Sequence, residues 1–286
     1  MPSESADYGH LTPEQVLAGV PEFTDAAVLE PLAVGASSRT YLIEKGGQRF
    51  VLRQARADFP EAKAYLANEA AAVGQAAAAG LAPPLVFTDA DQCVSVRQYA
   101  EGSVWSEADL RSKEQLRKLA DTLATLHRLN PEAPPWSPRS AVRDYAGQID
   151  TPLAGSIADT ALRELDALDA AGSDGGFALC HNDLLAHNII ETDNGLQLID
   201  WEFGAAGNPC FDLAVVCRHA VLPDELVTLL INRWSDRTGA ANTEAKVVLW
   251  GRYYDALLAL WYLLLQHRGV ADSGQRAHLQ RLLNNF

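Results

Sequence analysis

The 286-residue chain carries 37 acidic against 23 basic residues, a formal charge of −14, and 48% of its residues are apolar. That balance repels phosphate at long range and argues against nucleic acid or an anionic membrane as partner, while leaving room for a nucleotide in a local basic pocket. The apolar share supports one large domain or two modest ones sharing a cleft. Cys93, Cys180, Cys210 and Cys217 have no CxxC spacing and read as buried reduced thiols. Residues 1–15 lack the basic and apolar regions of a signal peptide, and the longest apolar run, 256–265, is about half a membrane span. A soluble, cytoplasmic protein is expected.

Taken in order, 28–34, 40–44 and 48–54 are strand-like, and Gly46-Gly47 marks a hairpin between the last two. The Ala-rich stretch 61–79 favours helix and stops at Gly80. Strands at 85–88 and 93–99 follow Pro83-Pro84, giving a β-β-β-α-β-β module with a mostly antiparallel sheet. Beyond Glu101-Gly102 the pattern turns helical. Ser106 with Asp109 and Ser112 with Gln115 have capping-box spacing ahead of a helical run at 116–129. Residues 131–140 read as a proline-rich loop, 156–171 as an amphipathic helix and 172–176 as a linker. Further helices are expected around 210–220, 223–238, 242–268 and 274–284. The division is a β-rich lobe over 1–100, a hinge at 97–102 and a helical lobe over 101–286, with a cleft near residue 100.

Residues 179–204, LCHNDLLAHNIIETDNGLQLIDWEFG, set Asp183, Asn188 and Asp200 among apolar neighbours, where unpaired polar groups are costly. Asn194-Gly195 between two short apolar strands predicts a type I′ hairpin that returns Asp200 to the neighbourhood of Asn188. Phosphoryl transfer uses such a set: one carboxylate takes the hydroxyl proton, while an amide oxygen and a second carboxylate hold Mg²⁺. The spacing matches the H-x-D-x-x-x-x-N catalytic loop of kinases with its distal Asp. Each residue alone would fit a locally satisfied turn; together they favour phosphotransfer.

HNDLLAHNII, LIDWEF and YAEGSVW (99–105) resemble the motifs of the choline kinase and aminoglycoside phosphotransferase family, most closely its bacterial choline, ethanolamine and thiamine kinase branch. The resemblance runs from GASSRTYLI to LALWYLLLQ. It implies an α+β, bilobal, protein kinase-like fold, with a small antiparallel-sheet lobe bearing one helix and a larger helical lobe. It further implies ATP as co-substrate and Mg²⁺ as cofactor. On this resemblance Asp183 is the catalytic base, Asn188 and Asp200 are metal ligands, and His181 and Asp212 support the loop. His187 is expected on a strand, facing away from the site. Arg53 stands where protein kinases keep lysine, with Glu69 as its partner. The loop 34–40 is the phosphate cover, through Ser37 and Ser38, and the Gln98 carbonyl and Ala100 N–H hold the adenine edge.

Asp200 and Asp212 lie only twelve positions apart, and neither DFG nor APE is present, so the expected acceptor is a small alcohol rather than a peptide. Trp250, Tyr253, Tyr254 and Trp261 recur at helical spacing, which fits core packing or an aromatic cage for a quaternary ammonium. Of the paired tryptophans of the family's choline pocket only Trp261 is retained, with Leu258 near the other position. His219 stands where choline kinases usually carry glutamate, and with Arg218 it forms a basic pair that disfavours a choline headgroup. Glu202, His219, Tyr254 and Trp261 are the candidate pocket. The expected function is ATP- and Mg-dependent transfer of the γ-phosphate to a choline-, ethanolamine- or thiamine-like hydroxyl. Alternatives are an aminoglycoside, amino sugar or other small alcohol, or a catalytically silent kinase-fold binding protein.

Overall fold

The computed structural model describes residues 11–34, 38–55, 62–89, 91, 93–172 and 177–284. Helix α1 (Pro13–Ala18) opens on a capping box in which Thr12 and Gln15 bond each other's backbone N–H, with proline in its first turn. Next come β1 (Ala27–Val34), β2 (Ser38–Lys45), β3 (Gln48–Ala55), α2 (Ala62–Ala78), β4 (Leu85–Asp89), β5 (Val94–Gln98) and β6 (Ser103–Val104). They are followed by α3 (Lys113–Leu126), α4 (Pro138–Ile149), α5 (Pro152–Ala170), β7 (Ala178–Cys180), β8 (Ile189–Thr192), β9 (Gly195–Leu198) and β10 (Ala205–Gly207). Helices α6 (Pro209–His219), α7 (Asp224–Thr238), α8 (Thr243–His267) and α9 (Ser273–Leu283) complete the order. The chain divides into two units, Met1–Val104 with Asn188–Gly204, and Trp105–His187 with Ala205–Phe286.

In the first unit an antiparallel sheet runs β1-β2-β3-β5-β4. Lys45 pairs with Gln48, so Gly46 (φ +59°) and Gly47 (φ +77°) are the two central residues of the expected hairpin, with the positive φ at both that a type I′ turn needs. Strand alternation sorts β3: Phe50 and Leu52 join Val16, Leu17, Phe23, Ile43 and Val96 in one core, and Arg53 points the other way. Gly80 (φ +74°) ends α2 in a Schellman motif, with Leu81 N–H donating to the Ala76 carbonyl at 2.8 Å.

Strands β6, β8 and β9 form a second small sheet. Its hairpin differs from the expected one. Thr192 pairs with Gly195, which makes Asp193 and Asn194 the central residues, and of these three only Gly195 has positive φ, +118°. A type I′ turn needs positive φ at both central positions; here it falls instead on Gly195, the residue that pairs with Thr192 in an uninterrupted register. The Thr192 hydroxyl bridges the turn, accepting from Asn194 N–H and donating to the Gly195 carbonyl.

The second unit pairs β7 with β10 and is otherwise helical. Helix α4 occupies residues overlapping the expected loop, because Ser137 caps it and Pro138 sits in its first turn, where a proline starts a helix instead of breaking one. The same device, Thr151 then Pro152, opens α5. All four cysteines are buried thiols outside any disulfide. Among the described residues no helix is long and apolar enough to cross a membrane.

Helix α6 ends on Val221, an exposed β-branched residue at φ +48°, with Leu222 N–H reaching back to the Cys217 carbonyl at 3.0 Å. Glycine is the usual occupant of that position. Val221→Gly should raise the unfolding free energy by about 1 kcal/mol; a urea midpoint unchanged or lowered would show that no strain is held there.

Candidate functional site

The first unit's candidate groups gather around Arg53. Helix α2 buries Leu66, Glu69, Val73 and Ala76 at helical spacing, so Glu69 is a carboxylate in the middle of an apolar stripe, and its residue is 1% exposed. A charge there needs a partner. Arg53, itself 6% exposed, provides it: Nη1 donates to Glu69 Oε2 at 3.1 Å and lies 3.4 Å from Asp200 Oδ1, Nη2 donates to Glu202, and Nε donates to Ser38 Oγ at 3.2 Å. Arg97 Nη1 stands 3.6 Å from the other Glu69 oxygen. Burial works against the Arg53 charge, but Asp200, Glu202 and Glu69 outweigh it and raise its pKa above the ordinary guanidinium value. Burial, reinforced by the Asp200 charge, pushes Glu202 up to about 7 against the pull of Arg53. The cluster is therefore over-supplied with negative charge.

Asp200 joins this group through the small hairpin. Ile199 N–H donates to the Asn188 carbonyl at 2.9 Å, and Leu198 N–H to the Leu81 carbonyl at 2.7 Å. Asp200 then takes φ +65°, a conformation aspartate tolerates better than most residues. Buried Trp201 bonds the Leu198 carbonyl through its indole N–H. A Cβ on Gly204 would meet Ala72 Cβ at 2.7 Å, so glycine is what lets this loop close on α2. Asn188 is buried. Glu202, a candidate for the acceptor pocket, accepts from Arg53, and Ser38 braces the same guanidinium. Ser37 lies outside the described residues. At β5, Gln98 N–H donates to the Pro84 carbonyl at 2.9 Å. Proline has no N–H to return the bond, which leaves the Gln98 carbonyl without its ladder donor.

In the second unit the centre is Asp212, fully buried in the first turn of α6. Its oxygens accept from the backbone N–H groups of His181 at 2.9 Å and Asn182 at 2.7 Å, and Oδ2 lies 2.9 Å from His127 Nε2. The Trp234 indole N–H donates to His127 Nδ1 at 3.0 Å. Indole only donates, so the His127 proton resides on Nε2 and points at Asp212. His127, Cys180 and Asp212 are close enough together for a metal. Both ring nitrogens and both carboxylate oxygens are already engaged, however, and burial with the Asp212 charge holds the Cys180 thiol protonated. The trio is a brace. Above it Asn182 takes φ +64°, and Asp183 N–H reaches His181 Nδ1 at 3.3 Å, setting Asp183 at the partly exposed end of the loop. His127 was missed in the sequence because a lone histidine at a helix end reads as solvated.

His187 is exposed on a 3₁₀ turn (Ala186–Asn188) rather than on a strand. Nor does the expected basic pair present a basic face. Arg218 binds buried Asp255 through Nε at 3.1 Å and through Nη2. His219 Nδ1 shares a 2.8 Å hydrogen bond with the Tyr254 hydroxyl, and burial, then His278 and His187, lower its pKa to about 4. His219 is thus neutral at neutral pH, while Arg218 keeps its charge and pairs it with Asp255. Burial and then the Asp183 charge push the Tyr254 phenol well up and Tyr262 to about 12. Trp250 and Tyr253 pack against Trp136 and Phe211, mostly edge-on. Trp261 is half-buried against Tyr145 of α4 at 5.4 Å between rings.

The sequence profile of the phosphotransferase enzyme family matches residues 28–268, and the chain belongs to that family. Protein LicA of Haemophilus influenzae is 29% identical over 216 residues, 71% of this chain but 62% of that protein, so the match spans under two thirds of that relative's length. Choline kinase LicA from Streptococcus pneumoniae superposes with a TM-score of 0.75 at 20% identity, over 95% of this chain and 96% of that one. A structure of LicA in complex with AMP gives 0.76 at 20% identity, over 94% of this chain and 96% of that one. These likenesses establish the α+β, protein kinase-like fold.

The His219 environment has a measurable consequence. Its folded pKa, about 4, lies below the ordinary 6.5, so between these values the unfolded chain binds more protons and the imidazole's contribution to stability is lost as pH falls. Unfolding free energy should drop on acidification through that window more steeply in the wild type than in His219→Asn. Parallel slopes in urea titrations of the two would show that the imidazole is not held neutral.

Proposed function

We propose that the chain transfers the γ-phosphate of ATP to the hydroxyl of a small molecule, with Mg²⁺. The observation that carries this is the Arg53 cluster. A buried guanidinium with Glu69 behind it, Asp200 at 3.4 Å and Asn188 tied to the same hairpin is the arrangement phosphate binding asks for. The surplus of negative charge marked by Glu202 fits a divalent cation, which Asn188 and Asp200 would hold; when bound, it neutralises charge on the phosphate oxygens. Arg53, kept charged by its carboxylates, faces the phosphates, and Ser38, bonded to its Nε, lines the phosphate cover. The Gln98 carbonyl left open by Pro84, with the Ala100 N–H, would take the adenine edge. Asp183 accepts the proton of the attacking hydroxyl, on a loop held by Asp212 and His181.

For the acceptor, a choline-, ethanolamine- or thiamine-like alcohol is favoured. The described groups around Tyr254 and His219 present an anionic Asp183, aromatic rings and neutral imidazoles, so the basic pair no longer argues against a cationic substrate. Trp261 stays a candidate for its apolar side.

Magnesium-dependent ATP turnover against choline, ethanolamine, thiamine, amino sugars and aminoglycosides tests the proposal. At least one should stimulate turnover, and Asp183→Ala should lower kcat by about 10²–10⁴-fold with nucleotide affinity largely kept. Asp200→Ala should instead weaken Mg·ATP binding. If no alcohol raises turnover above the Asp183→Ala background, the enzyme reading fails.

A further inference from the structure

Helix α9 begins at Ser273, beyond the stretch 28–268 that the family profile matches. One of its residues nonetheless reaches the groups beside Asp183. His278 Nδ1 lies 3.4 Å from the Tyr262 hydroxyl, and its ring stands edge-on to that of His219 at 5.4 Å. His219 in turn bonds Tyr254. Four rings, Tyr254, His219, His278 and Tyr262, thus form a continuous wall on three helices, α6, α8 and α9, and the Asp183 charge acts on both of its phenols. Each imidazole uses Nδ1 on a tyrosine, and among the described residues neither Nε2 is engaged by another group. Burial lowers the pKa of both imidazoles, with Arg281 adding to the effect at His278.

We propose that His278 is a specificity-determining residue of the acceptor site: with His219 it forms a neutral two-imidazole wall that selects an acceptor whose polar end carries N–H or O–H donors over one capped by methyl groups. The chemistry follows from the tautomers. When Nδ1–H donates to the phenol oxygen, Nε2 is an acceptor and takes a hydrogen bond from a substrate ammonium or hydroxyl. A trimethylammonium has no N–H to give, and would leave the nitrogen desolvated and unpaired. Tyr262 and Tyr254 fix the ring orientation, so the selection is built in before the substrate arrives.

This rests on the phosphotransferase reading, and its test separates the two. The kcat/KM ratio for ethanolamine over choline is measured with saturating Mg·ATP in the wild type, His278→Leu and His278→Gln, with calorimetric binding of each alcohol alongside. The wild type should favour ethanolamine by tenfold or more. His278→Leu should cut that ratio at least tenfold, chiefly through KM, and His278→Gln, whose side-chain amide reaches the Nε2 position, should restore part of it. A parallel loss for both alcohols with the ratio kept would mean that His278 only holds α9 in place, and an unchanged ratio would remove it from the site; either result overturns the inference and leaves the enzyme reading standing. If neither alcohol binds or reacts, both fall.

Discussion

Arg53 is the constraint from which the first unit takes its order. One guanidinium, 6% exposed, engages groups from β2, from α2 and from the loop after β9. Removing it would leave Glu69 buried with only Arg97, 3.6 Å from its other oxygen, to balance its charge, and breaking a buried pair in this way costs several kcal/mol in comparable sites. That cost is why the positions of α2 and of the 199–204 loop are not independent: wherever the guanidinium sits, Glu69, Asp200 and Glu202 must follow. Such a cluster is poor value as pure stabilisation, because well-packed apolar residues would serve as well or better. What it offers is a fixed positive charge amid excess negative charge, a setting for phosphate and a divalent cation.

Asp212 plays the corresponding part in the second unit, by different means. Its oxygens hold backbone N–H groups rather than side-chain charges, and thereby fix the direction of the chain just ahead of Asp183. The carboxylate is in turn oriented by His127, whose proton is placed by Trp234. Three elements, α3, α6 and α7, thus converge on the geometry of a single short loop.

Local chemistry was legible in the sequence, and pairing across distance was not. The Gly46-Gly47 turn, the stop at Gly80 and the five strands of the sheet are declared by residues within a few positions of one another. Helix α4 was hidden because Ser137-Pro138 is a start signal that, amid three other prolines nearby, looks like a loop. The hairpin's function in bringing Asp200 to Asn188 was readable, but its turn type was not, since the register by one residue decides which pair is central. Arg218 and His219 looked basic because their partners, Asp255 and Tyr254, lie 37 and 35 residues on. The partner of Glu202 was hidden in the same way, Arg53 being 149 positions back. Charge read along a chain gives the sign of a residue and not the field at its site.

The small sheet β6-β8-β9 has a consequence for how the chain is made. Ser103 and Val104 pair with Glu191 and Ile190, and a Cβ on Gly102 would meet the Glu191 carbonyl at 2.3 Å, so the end of the N-terminal segment is built to receive a strand from much later in the sequence. A fragment stopping at Val104 would lack that strand, the donor for the Leu81 carbonyl and two of the carboxylates on Arg53. The first unit is therefore not an autonomous module: on the ribosome it must wait, its buried arginine part-neutralised, until the chain has emerged through Gly204 and the long loop of residues 105–187 has closed.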